Sequence, residues 1–289
     1  MTSLRRRLVA YGLLAPGTIW LFLFFVVPMY FMAELALRSG NFAEGFTFSW
    51  EWANFPDSLE DRGEQIVRTF MYAGAATVLA LLIAYPLAYA IAIKASPRWR
   101  LLLLFAVIAP FFTTYLIRTI AWKTLLADES PIVSVLQTIG LIADDGHLLA
   151  TSAAVIAGLT YNFLPFMILP IYASLERIDL SLIEAAKDLY ASARQAFVKV
   201  TLPLTAPGIV AGVLLTFIPA FGDYVNAAIL GSPNQAMVGN RIQSLYLFDR
   251  NYPEAAALSF LMMTAILITV VVYIRFAGTE AFMGEEDRR

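Results

Sequence analysis

The chain has 289 residues, of which 60% are hydrophobic, and its mean hydropathy is +0.70. Soluble domains contain roughly 45–50% apolar residues, so this composition excludes a soluble globular protein. The formal net charge of −2 does not indicate nucleic-acid binding. The absence of cysteine excludes disulfides, thiolate metal sites and iron–sulfur clusters. The single histidine, His147, cannot form a metal site alone, and we expect a solvated loop residue.

The first apolar run follows Arg5–Arg7 and extends from Leu8 to about Met32. A signal peptide has an apolar core of roughly 7–15 residues, and this run is far longer. We therefore expect a retained membrane span rather than a cleaved signal.

Six segments are long enough to cross a bilayer, which takes about 20 apolar residues in a helix. They are Val9–Leu37, Ile66–Ile93, Leu101–Ala127, Ala150–Leu175, Pro207–Leu230 and Ala255–Phe276. Five prolines lie inside them, at Pro86, Pro110, Pro165, Pro170 and Pro219. Proline is tolerated in spans when neighbours satisfy the freed carbonyls, so kinked helices are expected. The sequence predicts an all-α polytopic membrane protein with six transmembrane helices in a single domain, residues 1–289.

Charged residues separate by loop, and basic residues mark the cytoplasmic side of a membrane protein. One side of the six spans collects Arg5, Arg6, Arg7, Lys94, Arg98, Arg100, Arg177, Lys187, Arg194, Lys199, Arg275, Arg288 and Arg289. The other side is rich in acids, at Glu44, Glu51, Asp57, Glu60, Asp61, Glu64, Asp128, Glu129, Asp144, Asp145, Asp249 and Glu254. This asymmetry predicts that both termini are cytoplasmic and that the acidic loops face outward.

The first long outer loop, Arg38–Gln65, carries Trp50, Trp52 and Phe55. Aromatic residues are enriched at membrane–water interfaces. An aromatic belt is the favoured interpretation, and contact with a partner protein is the alternative.

No enzyme signature occurs in the chain. The P-loop pattern G-x-x-x-x-G-K-[ST], the zinc-protease pattern H-E-x-x-H and the hydrolase pattern G-x-S-x-G are all absent. Energy for uphill transport must therefore come from another subunit or from an ion gradient.

A polar segment, residues 176–203, lies between the fourth and fifth apolar runs and is here called the coupling loop. Apolar residues recur at helical spacing between Asp179 and Tyr190, with charges on other faces. Asp179 or Ser181 can cap the start of that helix. A second short amphipathic helix is predicted over Ser192–Val200, at an angle to the first. The alternative is a helix lying flat on the membrane surface.

The order Glu184-Ala185-Ala186, a hydrophobic–basic stretch and then Leu202-Pro203 resembles the EAA loop of importer permeases in the ABC transporter superfamily. Residues 160–179, the EAA segment and residues 207–231 together resemble the spermidine/putrescine permease subgroup. The phrase FIPAFG, residues 217–222, followed directly by an acid is its most specific part. The similarity covers most of the chain from about residue 60 and is strongest over Thr160–Asn240.

This resemblance implies a type I importer permease fold, with residues 60–276 as its core, in the bacterial inner membrane. It implies a second, related permease subunit in a heterodimer, two ATPase subunits and an extracytoplasmic substrate-binding protein. ATP and Mg²⁺ would be bound by the ATPase, so no cofactor or metal is expected in this chain. The residues that would contact the ATPase are Glu184, Ala185, Ala186, Asp188, Leu189 and Tyr190.

The chain departs from the family pattern at Tyr190, where the EAA loop usually has glycine. Glycine there allows a tight turn or a close backbone approach. Tyrosine must keep an ordinary backbone conformation or bear strain, so the helix is expected to end differently.

An acid inside a membrane span suggests a functional site. Asp223 stands about 16 residues into the fifth predicted span, roughly 24 Å along a helix. If the cargo is a polyamine, its counter-charge would come from Asp223, and the plausible companions in the path are Tyr224, Asn226, Tyr161, Asn162 and Trp122. An acid at the outer interface, outside any path, is the alternative.

The predicted function is the membrane subunit of an ATP-driven importer, most simply for a polyamine. The alternatives are the same machinery for a sugar, an opine-like compound or an oxyanion, and a secondary transporter. The last requires repeated halves, which the sequence does not show.

Overall fold

The computed structural model describes residues 3–277 apart from residues 61, 141, 142, 144 and 145, with side chains over residues 11–276. The charge asymmetry used above draws in part on Arg5–Arg7, whose side chains are not described, and on residues outside the described ones: Asp61, Asp144, Asp145, Arg288 and Arg289. The described residues are mostly helical, as predicted, with one short β-hairpin that the sequence did not indicate.

Fourteen α-helices and two strands follow one another in the described chain. In order they are α1 (Ser3–Leu21), α2 (Val27–Ala36), β1 (Arg38–Asn41), β2 (Gly45–Phe48), α3 (Asn54–Leu59), α4 (Gly63–Tyr89), α5 (Pro97–Ile108), α6 (Tyr115–Leu126), α7 (Pro131–Thr138), α8 (Ser152–Glu176), α9 (Leu180–Asp188), α10 (Ala193–Ala196), α11 (Leu202–Phe221), α12 (Val225–Leu230), α13 (Val238–Leu247) and α14 (Tyr252–Ala277). Three π-helical turns (Phe22–Val26, Ala90–Lys94, Phe197–Thr201) and two 3₁₀ turns (Ala109–Phe112, Pro233–Gln235) join or end helices. β1 and β2 are antiparallel, with Arg38 opposite Phe48.

Five helices of the described chain are long and apolar enough to span a membrane. They are Tyr11–Ala36, Gly63–Lys94, Ser152–Glu176, Ala193–Phe221 and Tyr252–Phe276. A sixth candidate is the pair Pro97–Phe112 and Tyr115–Leu126, which counts as one span only if the two arms cross together. The predicted number of six spans holds in that sense.

The third predicted span, Leu101–Ala127, is not one continuous helix. Its two arms are bent by 97° at Thr113 and Thr114, which are both extended. Pro110 lacks a backbone N–H and lies in the 3₁₀ turn before the bend. The Pro110 carbonyl accepts both the Thr113 hydroxyl at 2.7 Å and the Thr113 N–H at 3.2 Å.

The fifth predicted span, Pro207–Leu230, is displaced toward the N-terminus in the structure. Its helix runs from Ala193 to Phe221, so the predicted second short helix, Ser192–Val200, is the first part of this longer helix and is separated from α9 by a turn. A π-turn precedes Pro203 in this helix, in which the Leu202 N–H donates to the Phe197 carbonyl.

The chain divides into two compact units, Met1–Gly63 with Ile242–Thr264 and Glu64–Arg241 with Ala265–Arg289. In the second unit α8 packs closely on α11. A Cβ at Gly208 would lie 2.6 Å from the Pro170 carbonyl oxygen, and one at Gly212 would lie 2.8 Å from the Met167 sulfur. Small residues allow such close approach of membrane helices. Buried alanines of α4 complete this core with Ile168, Ile171 and Leu175 of α8: Ala80, Ala84 and Ala88.

The core of the first unit is smaller. It consists of Ala36, Ala256 and Ala257, against which Phe55 and Phe260 pack. Since Ala36 ends α2 and the other two alanines lie near the start of α14, this core joins the ends of two spans. Arg62 and Glu254 form an ion pair at the same end.

Candidate functional site

The coupling loop presents its first helix, α9, largely to solvent. Asp179 caps this helix, because its Oδ1 accepts the Ser181 N–H at 2.9 Å. Hydrogen bonding by the Ser181 side chain, and then by its backbone N–H, lowers the pKa of the fully exposed Asp179 carboxyl below its ordinary value. The predicted helix and its cap are therefore confirmed, with Asp179 and not Ser181 as the capping residue.

Most of the predicted coupling residues are exposed on α9 and its C-terminal turn. Glu184, Ala185 and Asp188 are exposed and Ala186 is half-buried. Leu189 and Tyr190 retain 82% and 97% of their accessible surface. Two large apolar side chains so exposed at one helix end are available to a partner.

Tyr190 adopts a backbone conformation that glycine enters readily and other residues disfavour. Its φ is +62°, in the left-handed region. The Tyr190 N–H donates to the Lys187 carbonyl at 2.9 Å and the Ala191 N–H to the Ala186 carbonyl at 3.1 Å, which is the hydrogen-bond pair of a Schellman motif. Of the two alternatives that the sequence left open at this position, the structure shows the second: α9 ends in a left-handed turn and tyrosine bears the strain.

The second part of the loop is tied to the membrane helices. Ser192 and Gln195 form a capping box, with the Ser192 N–H donating to Gln195 Oε1 at 2.9 Å. Phe197 packs edge-on against two tyrosines of α4. The ring centroids are 5.6 Å apart for Tyr85 and 6.0 Å apart for Tyr89. Any force on α10 is thereby passed directly to α11 and α4.

A buried polar cluster lies where α6, α8 and α12 meet. It is formed by Tyr115, Thr119, Asn162, Asp223 and Asn226. Tyr115 OH donates to Asp223 Oδ2, and the Asn226 backbone N–H donates to Asp223 Oδ1 at 2.8 Å. Asn162 Nδ2 lies 3.1 Å from Thr119 Oγ1 and 3.2 Å from Asn226 Oδ1.

Asp223 is 7% exposed, but it is not inside the fifth-span helix as predicted. That helix ends at Phe221, and Asp223 lies in the break between α11 and α12. Gly222 is the C-terminal capping residue of α11. The Asp223 carboxylate then accepts the Asn226 N–H in the first turn of α12. Among the described residues, no Lys, Arg or His lies within ion-pair distance of Asp223.

The predicted path residues fall into separate groups. Asn162, Asp223 and Asn226 are brought together in the polar cluster. Trp122 and Tyr161 pack on each other with ring centroids 5.4 Å apart. The Tyr224 side chain is 42% exposed, and its backbone carbonyl accepts from Asn240 Nδ2 at 2.8 Å.

Sequence reasoning missed Tyr115 and Thr119. Their spacing of four residues places both on one face of α6. That spacing was a usable signal for two polar groups facing the same neighbour, although nothing local identifies the neighbour as Asp223, 108 residues away.

A small cavity of about 130 Å³ lies beside the bend between α5 and α6. It is lined mostly by apolar side chains, together with Arg118 and Tyr161. The Arg118 guanidinium lies over the Phe111 ring, 4.6 Å from its centroid. His147 is exposed, as expected, and its Nδ1 lies 2.8 Å from Asp128 Oδ2. The described residues include no group of three or more His, Asp or Glu side chains placed to hold a metal ion.

Residues 18–278 match the family described as binding-protein-dependent transport system inner membrane component. The spermidine/putrescine transport system permease protein PotB of Haemophilus influenzae is 37% identical over 257 residues, covering 89% of this chain and 90% of the relative. The Escherichia coli protein of the same description is 34% identical over 257 residues, covering 89% of this chain and 93% of the relative.

Among solved structures, a bacterial ABC transporter involved in the import of the acidic polysaccharide alginate has a chain of the same fold. Its TM-score is 0.71 at 20% identity, over 94% of this chain and 96% of the other. The same transporter in complex with an alginate-bound periplasmic protein gives a TM-score of 0.70 at 18% identity, over 97% and 96% of the two chains. The chain thus shares the fold of a chain of this importer.

Family members are permease subunits and not enzymes, since ATP hydrolysis belongs to a separate subunit. The secondary-transporter alternative is excluded by this membership. The chain belongs to the binding-protein-dependent transport system inner membrane components, and is a membrane-spanning permease subunit of an ABC importer.

Proposed function

We propose that this permease passes a polyamine such as spermidine or putrescine through the membrane. Relatives at 34–37% identity are described as spermidine/putrescine permeases. The observation that carries the proposal is the buried Asp223 carboxylate, which has hydrogen-bond donors around it but no cationic partner among the described side chains.

A buried carboxylate without a counter-charge is costly, and in membrane proteins such groups mark ion or substrate pathways. The Arg118 guanidinium lies over the Tyr115 ring, 5.8 Å from its centroid, but among the described residues it forms no ion pair with Asp223. Asn162 Oδ1 is buried and has no hydrogen-bond partner among the described groups. An ammonium group brings three donors and a positive charge. It would therefore neutralise the Asp223 carboxylate and donate a hydrogen bond to Asn162 Oδ1. The aromatic pair Trp122 and Tyr161 would stabilise the methylene chain or a second ammonium.

An anionic cargo fits this cluster poorly, because a carboxylate repels an oxyanion. The likeness to the alginate importer concerns the fold alone at 20% identity and does not argue for an acidic cargo. A sugar or an opine-like compound would use the asparagines and the tyrosine but would leave the charge of Asp223 without a role.

The chain would work as one transmembrane domain, residues 1–289, in a heterodimer with a related permease. Two ATPase subunits would bind ATP and Mg²⁺ and receive α9 in a cleft, with Glu184 making a polar contact and Ala185 and Ala186 allowing close approach. An extracytoplasmic protein would deliver the substrate. This arrangement requires cytoplasmic termini and a cytoplasmic coupling loop, which the distribution of basic residues supports.

Uptake of radiolabelled spermidine by the reconstituted complex tests the proposal. Asp223→Asn keeps the size and most hydrogen bonds of the side chain and removes the charge. Loss of a charge interaction of about 1.4 kcal/mol or more lowers uptake tenfold or more. Capture by the binding protein and assembly with the ATPase should be unchanged.

Two matched variants separate charge from structure. Asp57→Asn removes an exposed acid from α3 and should leave uptake unchanged. Tyr115→Phe removes a donor to Asp223 but keeps the charge, so it should retain most uptake at a stability loss of about 1 kcal/mol. Near-normal uptake with Asp223→Asn would remove this residue from the path. Stimulation of ATP hydrolysis by the binding protein loaded with another solute, and not with a polyamine, would overturn the choice of substrate.

A further inference from the structure

Four aromatic side chains form a ladder immediately after the hairpin: Phe48, Trp50, Trp52 and Phe55. Phe48 and Trp50 meet edge to face with centroids 4.9 Å apart. Trp50 and Trp52 are stacked at 6.3 Å, and Trp52 and Phe55 at 5.9 Å. The four residues therefore form one continuous aromatic surface, here called the aromatic ladder.

The outer part of the aromatic ladder is exposed although it is large and apolar. Phe48 keeps 45% of its accessible surface, and Trp50 and Trp52 keep 62% each. Trp50 also has a φ of +56°, a left-handed conformation that a non-glycine residue adopts at a cost of about 1–2 kcal/mol. The ring of Trp50 packs on Phe48 and Trp52, yet most of its surface stays exposed at this strained position.

Hydrogen bonds to three backbone carbonyls fix the ladder to the end of the first span. The Glu51 N–H donates to the Leu37 carbonyl at 3.0 Å. Asn54 Nδ2 donates to the Ala36 carbonyl at 2.9 Å and to the Arg38 carbonyl at 2.8 Å. These carbonyls belong to the last helical residue of α2 and the two residues after it, so the ladder begins where that span ends.

An ion pair at the end of α2 indicates that this helix end lies at the polar boundary of the membrane. Glu34 and Arg38 form an ion pair at 2.7 Å across the end of α2. Phe55 packs on the alanine core that joins the end of α2 to the start of α14. The end of α2 and the start of α14 thus share one core, and the aromatic ladder is attached to it through Phe55.

We propose that the aromatic ladder is a lipid-binding anchor, with Trp50 and Trp52 inserted among the headgroups and upper acyl chains of the leaflet that contains the end of α2. Tryptophan favours this zone because its ring is apolar and its indole N–H remains hydrated. We choose lipid over a protein partner because the ladder is continuous with the ends of two spans. Any bilayer that surrounds α2 and α14 also reaches the ladder. Burial in that zone offsets the backbone strain at Trp50.

Tryptophan fluorescence in proteoliposomes tests the anchor. The chain has five tryptophans, and replacing Trp20, Trp99 and Trp122 by Phe leaves only the two in the ladder. Lipids brominated near the headgroup should quench this emission more than lipids brominated near the acyl-chain end, and aqueous iodide should quench it weakly. A protein that keeps only Trp20, which lies inside the first span and is 62% exposed, is the depth control and should show the opposite preference for bromine.

The complex with its ATPase is used throughout, and retained assembly shows that the variants are folded. The emission of a matched complex in which this chain carries no tryptophan is subtracted, so that the remaining signal comes from this chain alone. If the triple replacement fails to assemble, the difference in quenching between the unmodified protein and Trp50→Phe/Trp52→Phe gives the same information. Strong quenching by iodide with none by brominated lipid would overturn the proposal. So would protection from iodide that requires added substrate-binding protein, because the ladder would then be a protein contact.

Discussion

Replacing Tyr190 by glycine should stabilise the end of α9, although it removes a large side chain. The tyrosine ring is 97% exposed, so its loss removes almost no packing. Relief of the left-handed backbone at φ +62° is worth about 1–2 kcal/mol. Glycine loses about 0.5–1 kcal/mol more conformational entropy on ordering, which leaves a net gain of about 0.5–1 kcal/mol.

Hydrogen exchange at the helix end reports this gain locally. The amides of residue 190 and Ala191 close the Schellman motif, and their protection should rise about two- to fivefold, since 1.4 kcal/mol corresponds to tenfold. Tyr190→Ala is the matched control, because alanine also removes the ring but keeps the left-handed penalty. Equal or lower protection in the glycine variant than in the alanine variant would refute the strain argument. If the ring contacts the ATPase, both variants should assemble less tightly.

Three further outcomes concern the coupling loop and its orientation. Glu184→Lys should uncouple ATP hydrolysis from uptake while the permease stays folded, with Lys187→Glu as a charge-changing control on the same helix; normal uptake by the Glu184 variant contradicts its role. The Asp179 cap has a lowered pKa, so it stabilises α9 at neutral pH and is lost as pH falls through that pKa; Asp179→Ala should lower amide protection in the first turn, whereas Asp179→Asn, which keeps an acceptor, should not. Single cysteines at Glu44 and at Asp188 should react with an impermeant thiol reagent in intact cells only at position 44, and labelling at 188 would reverse the orientation.

Local features of the sequence were sufficient for α9 and its cap, because an amphipathic period and a carboxylate at the N-terminus are short-range signals. The same reasoning placed Asp223 too deep in a helix. The apolar run continues through Gly222, so hydropathy alone cannot show that the helix stops at Phe221. It also missed the bend at Thr113 and Thr114, since Pro110 is compatible with a kink as well as with a complete break.

The sequence by itself determined the membrane class, the approximate spans and the exposed coupling helix, because hydropathy and capping depend on neighbouring residues. Tertiary structure decided what surrounds Asp223, since Tyr115 and Asn162 reach it from helices that are distant in the chain. Tertiary structure also decided the backbone conformation of Tyr190. The two Schellman hydrogen bonds hold that residue in a left-handed conformation that its side chain disfavours, and no local propensity of tyrosine would have predicted it.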